Sequence, residues 1–202
     1  MKKKLTLVVS LLLVMALSIG GTLAYLTDKT DAVTNTFTMG NVNITLVETD
    51  TELDDDESDK TNDYKFVPGK EIAKDPKVTV EADSEACYVY VKIEENIDFA
   101  EGKTGNFNDY FTYNIAGDWT KLPGVDGVYY MTVDATTAAA GEEWYVLAGS
   151  QTNINGCVTV PGTVTKTMID DLDGDPTLTI TAYAVQSEGM ADANDAWTKA
   201  GF

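Results

Sequence analysis

Residues 77–95 read KVTVEADSEACYVYVKIEE, and two alternating runs inside that stretch set the fold class. Val78 pairs in parity with Val80, and Tyr88 with Tyr90, as in strands with one buried face and one polar or aromatic face. Outward from there the theme recurs in TFTMGNVNITLVE (36–48), YFTYNI (110–115), GVYYMTV (127–133), EEWYVLA (142–148), GCVTVPGTVTKTMI (156–169) and TLTITAYAVQ (177–186). Turn-rich punctuation separates the runs, which predicts about eight short strands in an antiparallel sandwich or barrel. In the first run Phe37 and Met39 share one parity and Val42, Ile44 and Leu46 the other. A bulge or kink at Gly40 and Asn41 would let both halves face one core.

Helix is scarce in the pattern. A short turn is expected in IDFAEG (97–102), and GMADANDAWTKAGF (189–202) is the best helix candidate, rich in alanine, with Trp197 packing it onto the sheets. Two loops are expected, the acidic ETDTELDDDESDKTND (48–63) and DATTAAAGEE (134–143).

Composition narrows the chemistry. The 202 residues carry 33 acids against 14 lysines, with no arginine, for a net charge of -19. Such a chain cannot build the basic surface that nucleic acid requires. Histidine is absent, which removes imidazole general acid–base catalysis, Ser-His and Cys-His pairs and histidine zinc sites. The acids offer many carboxylate pairs for glycoside hydrolysis, but no motif singles one out. Cations or acid should promote association by screening or neutralising carboxylates.

The N-terminus reads as targeting. Lys2, Lys3 and Lys4 form a basic start, residues 5–19 an apolar run, and Thr22 and Ala24 are small residues placed for a cut between Ala24 and Tyr25. An uncleaved anchor is the alternative, since residues 5–26 are long enough to span a bilayer. Gly20, Gly21 and Thr22 favour cleavage by breaking the helix where a peptidase needs extended chain. The resulting organisation is a signal peptide at 1–24, an N-terminal segment at 25–36 and a β domain at 37–202.

Export bears on Cys87 and Cys157, the only two cysteines. They would form one long-loop disulfide, worth roughly 3–5 kcal/mol, or remain as two unpaired thiols inside strands. DDLDGDP (170–176) sets Asp171, Asp173 and Asp175 at alternate positions like the opening of a calcium loop. Pro176 replaces the glycine of the sixth position and Ala182 the acid of the twelfth, so a tight acidic turn feeding the strand at Thr177 is the preferred reading.

Several of these segments together carry a resemblance. KKKLTLVVSLLLVMALSIGGTLAYLTD (2–28), NTFTMGNVNITLVE (35–48), VPGKEIAKDPKVTVEADSEACYVYVKI (67–93) and ITAYAVQSEGM (180–190) resemble the TasA and camelysin family of exported proteins. The resemblance implies an all-β, jelly-roll-like antiparallel β-sandwich, release by a signal peptidase of the SipW type, and an extracellular matrix or cell-surface location. It implies fibres built with copies of itself or related matrix subunits, with membrane contact only through the signal segment and no cofactor. The segment freed by cleavage, carrying Tyr25, Leu26, Ala32 and Val33, would complete the sheet of a neighbouring subunit. The family also includes proteins described as metallo-endopeptidases, yet this chain has no His-Glu-x-x-His motif because it has no histidine. A peptidase would show chelator-sensitive cleavage; a third alternative, a soluble adhesin, would bind a glycan or host protein as a monomer.

Overall fold

The computed structural model describes residues 41–49 and 63–202. The cleavage site Thr22, Ala24 and Tyr25, the donor residues Leu26, Ala32 and Val33, the kink at Gly40 and most of the acidic loop lie outside the described residues.

The described chain forms ten strands and four short helices: β1 Ile44–Val47, β2 Glu71–Ala73, β3 Lys77–Val80, β4 Cys87–Asn96, α1 Phe107–Tyr110, β5 Thr112–Tyr113, β6 Thr120–Lys121, β7 Val128–Val133, α2 Ala135–Ala140, β8 Glu142–Tyr145, β9 Cys157–Thr159, α3 Lys166–Asp170, β10 Thr177–Gln186 and α4 Ala193–Ala200. They build three sheets with strand orders β1-β3-β8, β10-β4-β7-β6 and β2-β9-β5. Every pairing is antiparallel. One apolar cluster draws on all three, with Val78 and Val80 from the first, Val89, Val91 and Ile93 from the second and Val158 from the third.

The ten-residue β4 organises this core. Cys87, Val89, Val91 and Ile93 point into the main cluster, each no more than 5% exposed. The opposite face is covered as well, which the simple alternation does not predict: Tyr90 is fully buried in a second cluster with Leu122, Val128, Ala193, Ala196 and Trp197. Helix α4 supplies that cover. The Asp192 carboxylate caps it by accepting from the Asp195 N–H at 2.9 Å, and Lys199 pairs with Asp195 at 2.8 Å one turn along. Trp197 lies 5.1 Å from the Tyr90 ring and edge-on to Tyr183 at 5.4 Å, while the Tyr90 hydroxyl donates to the Ala193 carbonyl at 2.7 Å. Trp197 therefore packs the terminal helix onto the sheet, as expected from sequence.

Three expectations are corrected by local chemistry. Residues 135–140 are helical rather than looped, because Asp134 accepts from the Thr136 and Thr137 N–H groups and an alanine run follows. The run 110–115 yields only the two-residue β5, since Phe107, Tyr110 and Phe111 turn their rings into the core from α1 and its C-cap. The long run 156–169 stops as a strand at Thr159; Pro161 and Gly162 break it, and the Thr165 hydroxyl then caps α3 by accepting from Met168 N–H at 3.3 Å. The expected turn near residue 100 is present, closed by Lys103 N–H donating to Ala100 at 2.9 Å.

Of the two alternatives for the cysteines, the unpaired one is found. Cys87 and Cys157 are both free and buried. They sit in different sheets: Cys87 stands opposite Val133 and Gln186, Cys157 opposite Ala73. Spacing along the chain carried no information about which strands become neighbours. Burial pushes the Cys87 thiol from 9.0 up to about 11.

The base of the acidic excursion is pinned. Glu48 accepts from the Lys74 ammonium at 2.9 Å and from the Tyr64 hydroxyl at 2.9 Å, joining the two flanks of residues 49–63. Lys74 and Glu48 are only 13% and 20% exposed, so this pair is better shielded than a surface ion pair.

Truncation of Trp197 to alanine should cost about 3–5 kcal/mol in urea unfolding, because it empties the contact between α4 and the sheet. Because the folded thiol ionises later than the unfolded one, Cys87 favours folding below its unfolded pKa and loses that contribution as pH rises toward about 11. The urea midpoint should fall over that alkaline window, and less so in Cys87→Ala. Native protein should resist a disulfide-exchange thiol reagent at pH 8 until denatured.

Candidate functional site

A sheet edge is a row of unpaired backbone donors and acceptors, and proteins usually blunt it with short length, charge or proline. The described edges follow this rule with one exception. Strands β1, β2, β5 and β6 are four residues or fewer, and the four-residue β8 carries Glu142 and Glu143. Strand β10 is ten residues long, TLTITAYAVQ, with no charge, proline or glycine. It pairs with β4 along its whole length, from Thr177 opposite Asn96 to Gln186 opposite Cys87, and among the described residues has no strand on its other side.

The side chains agree with the backbone. Leu178, Ile180, Ala182 and Ala184 pack against the main cluster yet remain partly exposed, unlike their fully buried neighbours Val89 and Val91 on β4. Val42, Ile44 and Leu46 beside and within β1 are in the same condition, and β1 approaches β10. The two edges therefore border an apolar seam. On the opposite face of β10, Tyr183 lies beneath Trp197 and Phe202.

The start of β10 is acidic but is not arranged as a cation cage. Asp171 pairs with Lys103 at 2.7 Å, its carbonyl accepts from Ala100 N–H at 3.0 Å, and the Asp173 N–H donates to Asp98 at 2.9 Å. The calcium-like residues Asp171, Asp173 and Asp175 thus belong to a turn stitched to residues 98–103, with the Phe99–Leu172 bridge between. Among the described residues no group of three or more Asp, Glu, Cys or His is placed to hold a metal ion. Nearby, Tyr113 donates to Glu95 at 2.7 Å; burial, then that bond, raises its pKa.

A cleft of about 390 Å³ lies between α1 and α3, lined by Asn108, Asp109, Tyr110, Thr163 and Asp171. Three of its groups are engaged: Asp109 accepts from the Asn106 N–H at 3.0 Å, Tyr110 donates to the Met168 carbonyl at 3.2 Å, and Asp171 is paired with Lys103. Among the described residues no helix is long and apolar enough to cross a membrane.

No protein-family description, curated protein or solved structure matches this chain.

The sequence reading did not identify β10 as an edge. Its uncharged, alternating ten residues were visible, but position within a sheet depends on which strand fails to arrive beside it.

Proposed function

We propose that this chain is a secreted, non-enzymatic structural protein of the extracellular matrix or cell surface. It forms or accompanies fibres in which subunits are joined by strand donation on a jelly-roll-like β-sandwich. The segment from Tyr25 toward Thr36, freed when a SipW-type signal peptidase cuts after Ala24, is the donor. The acceptor is β10 of the next copy.

The observation that carries this reading is the combination of an uncharged ten-residue edge and a half-exposed apolar row behind it. An arriving strand would pair with the outer main-chain groups of β10, which face no strand among the described residues, and cover Leu178, Ile180, Ala182 and Ala184 together. The resemblance of residues 2–28 and 35–48 to the TasA and camelysin family supports the same reading from the other end of the chain.

Protein beginning at Tyr25 should polymerise into fibres visible by electron microscopy, whereas protein lacking residues 25–33 should remain monomeric. Equal behaviour of the two forms would remove strand donation. Fibre formation by the longer form should also quicken as salt rises from low ionic strength, because a chain that has lost Lys2, Lys3 and Lys4 keeps all its acids and is more negative than the full-length -19, so its copies repel.

A further inference from the structure

The outer face of the β10-β4-β7 sheet carries an aromatic row that ends at β10, the sheet's edge among the described residues. Tyr130, Tyr90 and Tyr183 stand opposite one another across β7, β4 and β10. Trp197 lies over the middle of that row, 5.1 Å from Tyr90 and 5.4 Å from Tyr183. Phe202 extends it, tilted against Tyr183 at 4.6 Å and edge-on to Trp197 at 5.3 Å.

Local backbone chemistry brings Phe202 there. Gly201 follows α4 in the left-handed region, φ +79°, with its N–H bonded to the Thr198 carbonyl at 3.2 Å. A glycine adopts this bend without a Cβ penalty, and it ends the helix and turns the chain back toward the sheet. Phe202 is nevertheless 48% exposed, one of the few large apolar side chains left so open. Tyr183 and Trp197 both touch its ring, and Tyr183 lies on β10, which among the described residues has no strand on its outer side.

We propose that Tyr183, Trp197 and Phe202 form a shelf that sets the register of the strand arriving on β10, by receiving one large apolar side chain from its outer face. This rests on β10 being the acceptor edge. The occupant is the N-terminal segment of a second copy. The stretch from Tyr25 to Thr36 is longer than the ten residues of β10 and supplies apolar side chains on both parities, Leu26 and Ala32 on one, Tyr25 and Val33 on the other. A residue directly opposite Tyr183 would have its Cβ about 4.5–5.5 Å from that of Tyr183, within reach of both rings. Main-chain hydrogen bonds are the same at every register of an uncharged edge, so side-chain contacts of this kind must choose among them.

The test is hydroxyl-radical footprinting of the chain beginning at Tyr25, as monomer and as fibre, with Phe202→Ala assembled in parallel. Phe202 should lose most of its labelling on assembly. The Phe202→Ala protein should keep a urea midpoint close to the parent and need roughly tenfold more protein to form fibres, the effect of about 1.4 kcal/mol of lost contact. Fibres in which Phe202 labels as fast as in the monomer, or Phe202→Ala fibres that form at the parent concentration, overturn the shelf and leave strand donation standing. A parent chain that forms no fibres overturns both.

Discussion

The ladder between β4 and its two neighbours is the constraint on which the described fold depends. Strand β4 is apolar on both sides across Val89, Tyr90 and Val91, and all three are fully buried. A strand of that kind needs a partner along each edge and a cover on each face. Its edges are taken by β7 and β10, its inner face by the main cluster and its outer face by α4. The terminal helix is thus part of the core arrangement, anchored where the Tyr90 hydroxyl meets the Ala193 carbonyl.

The same ladder leaves β10 in its particular position. Because β10 pairs with β4 over ten residues, its backbone is fixed along its whole length, and among the described residues no strand pairs with its far side. The remaining described edges are too short, or in β8 too charged, to serve in that way. Length and neutrality, more than hydrophobicity, distinguish this edge.

Electrostatics acts on a different scale. The described ion pairs are mostly on the surface, where Lys166–Asp170 and Lys121–Asp126 are well exposed and worth little. They cannot offset an excess of 33 acids over 14 lysines, so the domain carries a long-range repulsion between copies. Contact between copies then favours places free of charge, and β10 with its aromatic neighbours is such a place.

Alternation alone located β3, β4, β7 and β10, because period-two patterning and burial arise from the same local geometry, while the alanine-rich composition of residues 189–202 marked the terminal helix and its aromatic Trp197 as the docking residue. It overread 110–115 and 156–169, where ring packing in α1 and the Pro161–Gly162 break with the Thr165 cap ended the strands. It also missed the helix that Asp134 caps. Absence of histidine excluded imidazole chemistry from the sequence alone. The separation of Cys87 from Cys157, the second buried face of β4 and the place of β10 at a sheet edge among the described residues came only from tertiary structure. Each depends on which strands lie side by side, and that is settled by contacts between residues far apart in the chain, which no local pattern encodes.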